Sequence, residues 1–172
     1  SSGAAITQIL VFGTSSGRVY VFEVTDRAWK LRFRTNDHTS SVICCDVQVL
    51  GSHIWVASGG EDGRVFIHAS LFLSTSDTCD TNTIRGSYRH SRRVNDVKFA
   101  PSTGQDILFL ASASDDWTVQ VWDCVRQTYL INYRKHVASV LCVAWSWSDA
   151  QYLLSGSEVS THIIEIVFHN FS

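Results

Sequence analysis

The sequence predicts an all-β fold built from short antiparallel strands, and three observations point to it. Segments of strand length that are apolar, or that alternate between apolar and polar residues, are separated by turn formers along the chain. The dipeptide Asp62-Gly63 is a strong hairpin-turn signal between two such segments. Three histidines, His38, His90 and His136, are separated by 52 and 46 residues. We therefore expect one hairpin-rich unit to recur along the chain.

Residues 107–123 contain the clearest of these hairpins. Ile107 to Ser112 is a nearly continuous apolar run, and residues 114–116 supply Ser, Asp and Asp as turn formers. The segment from Thr118 to Trp122 then alternates with a period of two residues. A continuous apolar run is typical of a strand that is buried on both faces. We therefore expect this hairpin to lie between other sheets.

The hairpin resembles the second half of a WD40 repeat, which ends in a Trp-Asp pair such as Trp122-Asp123. Upstream, His90 stands where the Gly-His pair of the repeat ends, and residues 94–99 alternate as the innermost strand would. Residues 101–104, Pro-Ser-Thr-Gly, supply the next turn. The resemblance implies a partial WD40-type β-propeller of about four blades, two of them complete, built from antiparallel four-stranded sheets.

In the blades of this family, a buried His, Ser, Asp and Trp form a hydrogen-bonded chain. His90, Ser112, Asp116 and Trp122 occupy these four positions. A buried carboxylate without partners is strongly unfavourable, so an aspartate between apolar strands is best explained if such a chain satisfies it. The alternative is an exposed turn aspartate with a solvated histidine.

The whole chain, residues 1–172, is expected to be part of one propeller. The resemblance places its blades at roughly 6–34, 38–88, 90–133 and 136–168. In the first blade the initial strand is missing, and Phe12, Ser16 and Phe22 replace the Ser, Asp and Trp of the pattern. This blade would therefore be held by packing alone.

The second blade matches the pattern at His38, Ser58 and Asp62, while His68 stands in for the Trp and keeps a donor nitrogen. After it, residues 74–83 are rich in Ser, Thr and Asp and predict a long exposed loop before a fourth strand. This loop is either a partner contact or phosphorylation site, or a tolerated surface insertion. The insertion is the simpler interpretation.

The fourth blade matches at His136 and Ser155, but Val159 falls where the turn Asp should be and Glu165 where the Trp should be. The hydrogen-bonded chain should therefore not form in this blade. A blade buries its faces only against its neighbours, and propellers close with about 4–8 blades, so both ends of this stack would remain open. We expect missing blades or another chain to complete the ring.

Composition and charge exclude several classes of protein. The chain has 172 residues, 45% of them hydrophobic, and a formal net charge of −2, so it can bury a core and gives no general reason to expect nucleic acid as partner. No apolar run approaches the roughly 20 residues that span a bilayer, so we expect no membrane insertion. Five cysteines without a Cys-x-x-Cys pair predict neither a zinc site nor a disulfide framework. A reducing intracellular compartment, cytoplasmic or nuclear, is expected.

The sequence favours a protein that is not an enzyme. Its histidines at repeat-equivalent positions are structural, and its seven histidines show no metal-ligand spacing. No glycine-rich phosphate-binding motif is present. The Ser-His-Asp set is the buried chain of the fold rather than a catalytic triad. We therefore expect no catalytic residue, no metal and no cofactor.

In WD40 propellers, the mouth of the central channel is lined by residues that flank the leading Val of the first strand and by the residue before the turn Asp. With the neighbouring Arg92 and the turn residue Trp117, the resemblance implies partner contacts at Ser41, Ile43, Glu61, Arg92, Arg93, Asn95, Asp115, Trp117, Ser139 and Leu141. Trp117 stands where Gly is usual, and Trp and Arg are enriched at binding hot spots. The alternative is that Trp117 packs on a neighbouring loop.

These features favour a non-catalytic scaffold that docks a peptide or domain as a subunit of a larger complex. A second hypothesis is RNA or cap binding, with Trp117 stacking a base and Arg92 and Arg93 meeting phosphates, which the balanced charge does not favour. A third is a substrate receptor of a ubiquitin ligase. WD40 receptors of that kind carry Trp-Asp-x-Arg after the third strand, whereas Arg126 comes one residue later here.

Overall fold

A computed structural model describes residues 8–26, 28–71, 84–101, 107–147 and 150–165. Fourteen strands lie within these ranges, arranged as two three-stranded and two four-stranded antiparallel sheets. This confirms the predicted all-β class. The described residues include no helix that could cross a membrane. The predicted loop at 74–83 lies outside the described residues.

The strands pair in chain order within each sheet. Sheet 1 contains β1 (Gln8–Gly13), β2 (Val19–Val24) and β3 (Trp29–Thr35). Sheet 2 contains β4 (Val42–Leu50), β5 (His53–Gly60), β6 (Arg64–Leu71) and β7 (Ile84–Arg89). Sheet 3 contains β8 (Val94–Phe99), β9 (Phe109–Ser114), β10 (Val119–Asp123) and β11 (Thr128–Tyr133). Sheet 4 contains β12 (Val140–Trp145), β13 (Tyr152–Ser157) and β14 (Thr161–Glu165).

Neighbouring sheets meet through their first strands. β8 contacts β4 and β5 of the preceding sheet, and β12 contacts β8 and β9 in the same way. β4 contacts β1 of sheet 1 in the way that β8 contacts β5 of sheet 2. Because β5 is the second strand of its sheet, β1 corresponds to the second strand of a four-stranded sheet. The four sheets therefore stack in chain order as consecutive blades of a propeller, with β4, β8 and β12 as inner strands.

In the contacts between sheets 1 and 2 and between sheets 2 and 3, a valine of the later sheet packs on a glycine of the earlier one. Val42 packs on Gly13 and Val94 packs on Gly59, so closely that a side chain on either glycine would collide with the valine. The equivalent residue of sheet 4 is Gly156, where a Cβ atom added to the glycine would meet only the sulfur of Cys142 within 4 Å among the described residues. The place that a valine of a following sheet would take is therefore uncovered.

The far face of sheet 4 is apolar and exposed. Leu154 and Ile163 are cross-strand partners and are 47% and 72% exposed. Their equivalents in sheet 3, Ala111 and Val121, form the same pair but are completely buried against sheet 4. Sheet 4 therefore has an apolar face that corresponds to a buried face in sheet 3, and no described residue covers it.

The register of sheet 4 corrects one expectation from the sequence. Ile164 pairs with Leu153 as Trp122 pairs with Leu110, so Ile164 takes the Trp position and Glu165 does not. Ile164 is accordingly buried. The prediction was wrong because the hairpin turn between β13 and β14 is one residue shorter than the turn between β9 and β10.

Candidate docking site

A hydrogen-bond network joins the loop before β8 to the hairpin turn of sheet 3. His90 Nε2 lies 2.6 Å from the hydroxyl of Ser112, and His90 Nδ1 lies 3.0 Å from Asp116 Oδ2. The Thr118 hydroxyl donates to Asp116 Oδ1 at 2.6 Å. The backbone N–H of Ser91 donates to Asp116 Oδ2 at 3.0 Å. The turn carboxylate is therefore satisfied from both the loop and the turn, and it holds the two together.

The same contacts set the charge of Asp116. Burial by itself would raise the pKa of this carboxyl group. The hydrogen bonds from His90 and Thr118 outweigh burial and hold the pKa well below its ordinary range. Asp116 is therefore a carboxylate at neutral pH.

Trp122 borders this network through its ring. Its indole stacks on Tyr88 with ring centroids 4.5 Å apart and meets His90 edge-on at 6.2 Å. Tyr88 belongs to β7, so Trp122 fills the space between sheets 2 and 3. The resemblance implied that this Trp is part of a hydrogen-bonded chain, whereas the described structure holds it by ring contacts.

Sheet 2 repeats the network. His38 Nε2 lies 2.9 Å from the hydroxyl of Ser58, and His38 Nδ1 lies 3.0 Å from Asp62 Oδ1. Backbone N–H groups of Thr39 and Arg64 donate to Asp62 at 2.9 and 3.1 Å. Burial alone would raise the pKa of Asp62, but the hydrogen bond from His38 and these backbone bonds lower it below its ordinary value.

His68 lies outside this second network, which corrects its predicted role. Its Nε2 lies 3.2 Å from Asp37 Oδ2, and its ring meets that of Phe33 at 6.4 Å. His38 instead contacts Phe66 edge-on, with centroids 4.7 Å apart. His68 takes the strand position of the Trp, and in sheet 2 its ring lies against Phe33 of the preceding sheet. His68 has a ring nitrogen, as the Trp of the family pattern does, but this nitrogen takes no part in the network around His38.

A reduced network forms in sheet 4, where the sequence predicted none. His136 Nε2 lies 2.7 Å from the hydroxyl of Ser155, and His136 Nδ1 lies 3.4 Å from the hydroxyl of Ser160. The ring of His162 stacks on His136 with centroids 4.3 Å apart, and its Nδ1 lies 2.6 Å from the hydroxyl of Tyr133. Burial, and then the neighbouring His162, lower the pKa of His136. Without a turn carboxylate, this network favours the neutral histidine.

The predicted docking residues gather at one end of sheets 2, 3 and 4, where the second hairpin turn of each meets the loop before its first strand. In each sheet an acidic residue at the turn donates its backbone N–H to a carbonyl oxygen of that loop. The pairs are Glu61 with Ser41 at 2.9 Å, Asp115 with Arg93 at 3.0 Å, and Glu158 with Ser139 at 3.1 Å. We call this end of the stack the turn end.

Glu158 is a residue of this set that the sequence analysis missed. It follows Ser155 by three residues, as Asp115 follows Ser112, so the spacing itself was the signal. Glu158 is exposed, like Glu61, so the turn end presents acidic side chains from three consecutive sheets.

Trp117 has an unusual backbone conformation. Its φ is +70°, in the left-handed region, where the equivalent turns of sheets 1 and 2 have Gly17 at +81° and Gly63 at +75°. A bulky side chain in this region costs roughly 1–2 kcal/mol. Trp117 is nevertheless 48% exposed, so core packing does not offset this cost. Trp117 therefore combines a strained backbone with an exposed indole at the turn end.

Asn95 positions the acidic side chain next to this turn. Its Nδ2 donates to Asp115 Oδ1 at 2.6 Å and to the carbonyl oxygen of Val140 at 2.9 Å. The hydroxyl of Ser114 donates to the carbonyl oxygen of Arg93 at 2.8 Å. Sheet 3, its loop and sheet 4 are therefore fixed relative to one another beside Trp117.

The ten predicted contact residues differ in how accessible they are. The exposed members are Glu61, Arg92, Arg93, Trp117 and Leu141. The partly buried members are Ser41, Ile43, Asn95, Asp115 and Ser139. The side chains of the first group are accessible at the turn end, while several of the second group hold the turn and loop backbones in place.

The described residues hold no group of three His, Cys, Asp or Glu side chains that could bind a metal. Burial, with the nearby charge of Asp46, raises the pKa of the Cys45 thiol to about 12. Burial also raises the pKa of the Cys44 and Cys124 thiols. These three thiols are therefore protonated at neutral pH.

The model of the WD40 family, described as "WD domain, G-beta repeat", matches residues 29–68 and 81–123. Each match runs from the last strand of one sheet to the third strand of the next. The sequence repeat is thus offset from the sheet by one strand, so that each repeat joins two neighbouring sheets.

Several relatives match most of the chain. It is 31% identical over 137 residues to the ribosome biogenesis protein WDR12 homolog of Nematostella vectensis, covering 76% of this chain and 30% of that protein. It is 28% identical over 138 residues to the DDB1- and CUL4-associated factor 11 homolog of Caenorhabditis elegans, covering 80% of this chain and 23% of that protein. The chain thus spans less than a third of the length of either curated relative.

Among solved structures, the crystal structure of Saccharomyces cerevisiae Sqt1 superposes with a TM-score of 0.75 at 18% identity, covering 91% of this chain and 44% of that chain. A likeness at this identity shows the fold alone. Taken with the repeat match, the relatives, the stacked antiparallel sheets and the histidine networks, it shows that this chain belongs to the WD40-repeat β-propeller family.

Proposed function

We propose that the chain is part of a propeller that serves as a non-catalytic docking scaffold in a larger protein complex. A peptide or domain of the partner binds at the turn end, beside Trp117. The observation that carries this proposal is the conformation of Trp117, which keeps a strained backbone and an exposed indole where two other hairpins have glycine. A residue that costs stability without packing in the core is best explained by a contact with a partner.

The chemistry around Trp117 suits a peptide with an apolar or aromatic anchor. The indole offers a flat apolar surface, while Asp115 and the exposed Arg93 supply opposite charges beside it. Charged groups at the rim of an interface set orientation and register more than they add affinity. The anchor therefore supplies most of the binding free energy, and the neighbouring charges select the sequence around it.

The ring is completed by further blades or by another chain. The exposed pair Leu154 and Ile163 and the uncovered Gly156 support this part of the proposal, because a following sheet would bury all three. The relatives are several times longer than the matched region, which leaves ample chain for more blades. We place the assembled protein inside the cell, in the cytoplasm or nucleus.

A role as a substrate receptor of a ubiquitin ligase is the second candidate, favoured by the relative described as a DDB1- and CUL4-associated factor. The arginine that such a role would use is Arg126. Here its backbone N–H and its Nη1 donate to Asp123 at 2.9 and 2.8 Å. Arg126 would have to leave this pair to bind a ligase subunit, so the general scaffold is the better supported of the two.

RNA or cap binding receives less support. Trp117 could stack on a base, and Arg92 and Arg93 are exposed. The carboxylates of Glu61, Asp115 and Glu158 lie at the same end of the stack, where they would repel a phosphate backbone.

The proposal is tested by capture of binding partners from cell extract with the full chain as bait. Trp117→Ala should reduce partner yield strongly, because loss of one Trp anchor weakens binding by roughly thirty-fold or more. Arg93→Glu should also reduce the yield and change its dependence on salt.

The matched control is Trp147→Ala. Trp147 is 93% exposed but lies in the turn between β12 and β13, at the opposite end of its sheet from the turn end. This variant should keep the wild-type partners. Equal yields from all three variants and the wild type would place docking elsewhere on the propeller.

A further inference from the structure

Two arginines face each other across the outer strands of sheet 2. Arg64 of β6 and Arg89 of β7 are direct cross-strand partners, and both are exposed. Side chains of directly opposed residues project from the same face, with Cβ atoms about 4.5–5.5 Å apart. Like charges in this arrangement destabilise a sheet, so nothing in the folding of sheet 2 favours the pair.

Two further arginines lie on the loop that follows β7. The backbone N–H of His90 donates to the carbonyl oxygen of Gly63 at 2.8 Å, which fixes the loop against the turn that carries Arg64. The turn and loop are so close that a side chain on Gly63 would lie 2.8 Å from the carbonyl oxygen of Arg92. The carbonyl of Arg93 accepts from Ser114, as described above. We call Arg64, Arg89, Arg92 and Arg93 the arginine patch.

The nearby carboxylates have other partners. Asp62 is engaged by His38, and Asp115 accepts from Asn95. Glu61 Oε2 accepts from the hydroxyl of Ser40 at 2.7 Å. Among the described residues, none of the ion pairs involves a member of the arginine patch. The patch therefore keeps its positive charge in a chain whose formal net charge is −2.

We propose that the arginine patch binds the phosphate group of a phosphorylated serine or threonine in a partner peptide. Guanidinium groups match phosphate oxygens bidentately, and a phosphate monoester carries nearly two negative charges that offset the repulsion between Arg64 and Arg89. The patch is also small and local. Glu61 lies in the turn that precedes Arg64, and the backbone N–H of Asp115 donates to the carbonyl oxygen of Arg93, so a single dianionic side chain fits better than a long polyanion such as RNA.

This inference rests on the proposed docking function and gives it a second contact. The patch and Trp117 lie at the turn end of neighbouring sheets. Arg64 follows the second hairpin turn of sheet 2, Trp117 lies in the second hairpin turn of sheet 3, and Arg92 and Arg93 lie in the loop between the two sheets. One peptide could place an apolar anchor on Trp117 and a phosphorylated residue on the patch. Phosphorylation of the partner would then switch docking on.

The test measures binding of fluorescent peptides to the full chain in its native assembly. The probes are a degenerate phosphoserine peptide library and the same library without phosphate. The phosphorylated library should bind at least about ten-fold more tightly. Arg64→Glu and Arg89→Glu should each abolish that preference without lowering the melting temperature, since both side chains are exposed and either change replaces a like-charge pair with an opposite-charge pair.

Arg18→Glu is the matched control. Arg18 follows Gly17 as Arg64 follows Gly63, so it has the same place in its hairpin, but the residue that follows β3 opposite it is Asn36. This variant makes the same charge reversal at an equivalent position and should keep the phosphate preference.

Three outcomes would overturn the inference. The first is equal binding of the two libraries by the wild type, and the second is a phosphate preference that survives in Arg64→Glu and Arg89→Glu. The third is binding of single-stranded RNA, lost in these variants, without a phosphopeptide preference. Trp117→Ala should leave the patch competent for phosphate, so failure of the patch and failure of the Trp117 anchor are separate results.

Discussion

Replacing Asp116 with alanine should destabilise the protein strongly. The carboxylate accepts from the backbone N–H of Ser91, from the backbone N–H and hydroxyl of Thr118, and contacts Nδ1 of His90. The side chain of His90 is completely buried, so its Nδ1 would lose the carboxylate and keep only the neutral Thr118 hydroxyl, 3.1 Å away. Ser91 is exposed, and its N–H can bond to solvent instead.

The size of the effect follows from this difference. A buried group left without its partner costs about 1–3 kcal/mol, with more for charged partners, whereas a solvent-exposed bond is worth little. We therefore expect Asp116→Ala to lower the free energy of unfolding by about 2–4 kcal/mol. For a domain of about 150–250 residues, this lowers the melting temperature by roughly 4–16 °C. The measurement is made on the assembled propeller, because the isolated 172 residues are not expected to melt cooperatively.

The effect should also depend on pH. The pKa of Asp116 is lowered on folding, so its contribution is fully present above the unfolded pKa of about 3.9 and is lost as pH falls toward the folded value. The difference in stability between wild type and Asp116→Ala should therefore be constant near neutral pH and shrink in acid.

The assay is a pair of thermal melts against a matched variant, Ser16→Ala. Ser16 occupies the turn-Asp position of sheet 1 but is exposed, with its hydroxyl 3.0 Å from that of Thr14. Its removal should change the free energy of unfolding by less than about 0.5 kcal/mol. Equal shifts for the two variants would refute the role assigned to the network around Asp116.

Two other outcomes are expected. Trp117→Gly should raise the free energy of unfolding by up to about 1 kcal/mol, because glycine adopts a positive φ without strain, and it should weaken partner capture. A less stable variant would instead show that the indole packs on a neighbouring loop. The isolated 172 residues should not form a well-behaved monomer, since the apolar face around Leu154 is open. A sharp monomer peak by size-exclusion chromatography with light scattering, with a cooperative melt, would contradict this.

The fold could be predicted because the key residues of the repeat occupy positions that are constrained within a single hairpin. Ser112 and Asp116 are four residues apart, with His90 upstream, and only a particular hairpin brings the three together. The same Ser-to-Asp spacing in sheet 2 identified Ser58 and Asp62, with His38 upstream. These positions depend on the pattern within one repeat, which the sequence contains in full.

Positions that depend on a neighbouring sheet or on turn length were harder to predict. His68 was expected to join His38 because both carry ring nitrogens, but its strand position turns it toward Asp37. Ile164 was overlooked because a turn shortened by one residue moves every later position by one. The docking residues around Trp117 remain a prediction, since their location follows from the family resemblance and their partner is not present.

The contact of valine on glycine has a geometric consequence for the whole ring. At the inner strands, adjacent sheets are separated by little more than one valine side chain, as at Val94 and Gly59. At the outer strands they are held apart by large rings, such as Trp122 stacked on Tyr88. Each blade is therefore a wedge, thin near the axis and thick at the circumference, and the ratio of the two thicknesses sets the curvature of the stack. The sizes of these few side chains thus help to determine how many blades are needed to close the circle.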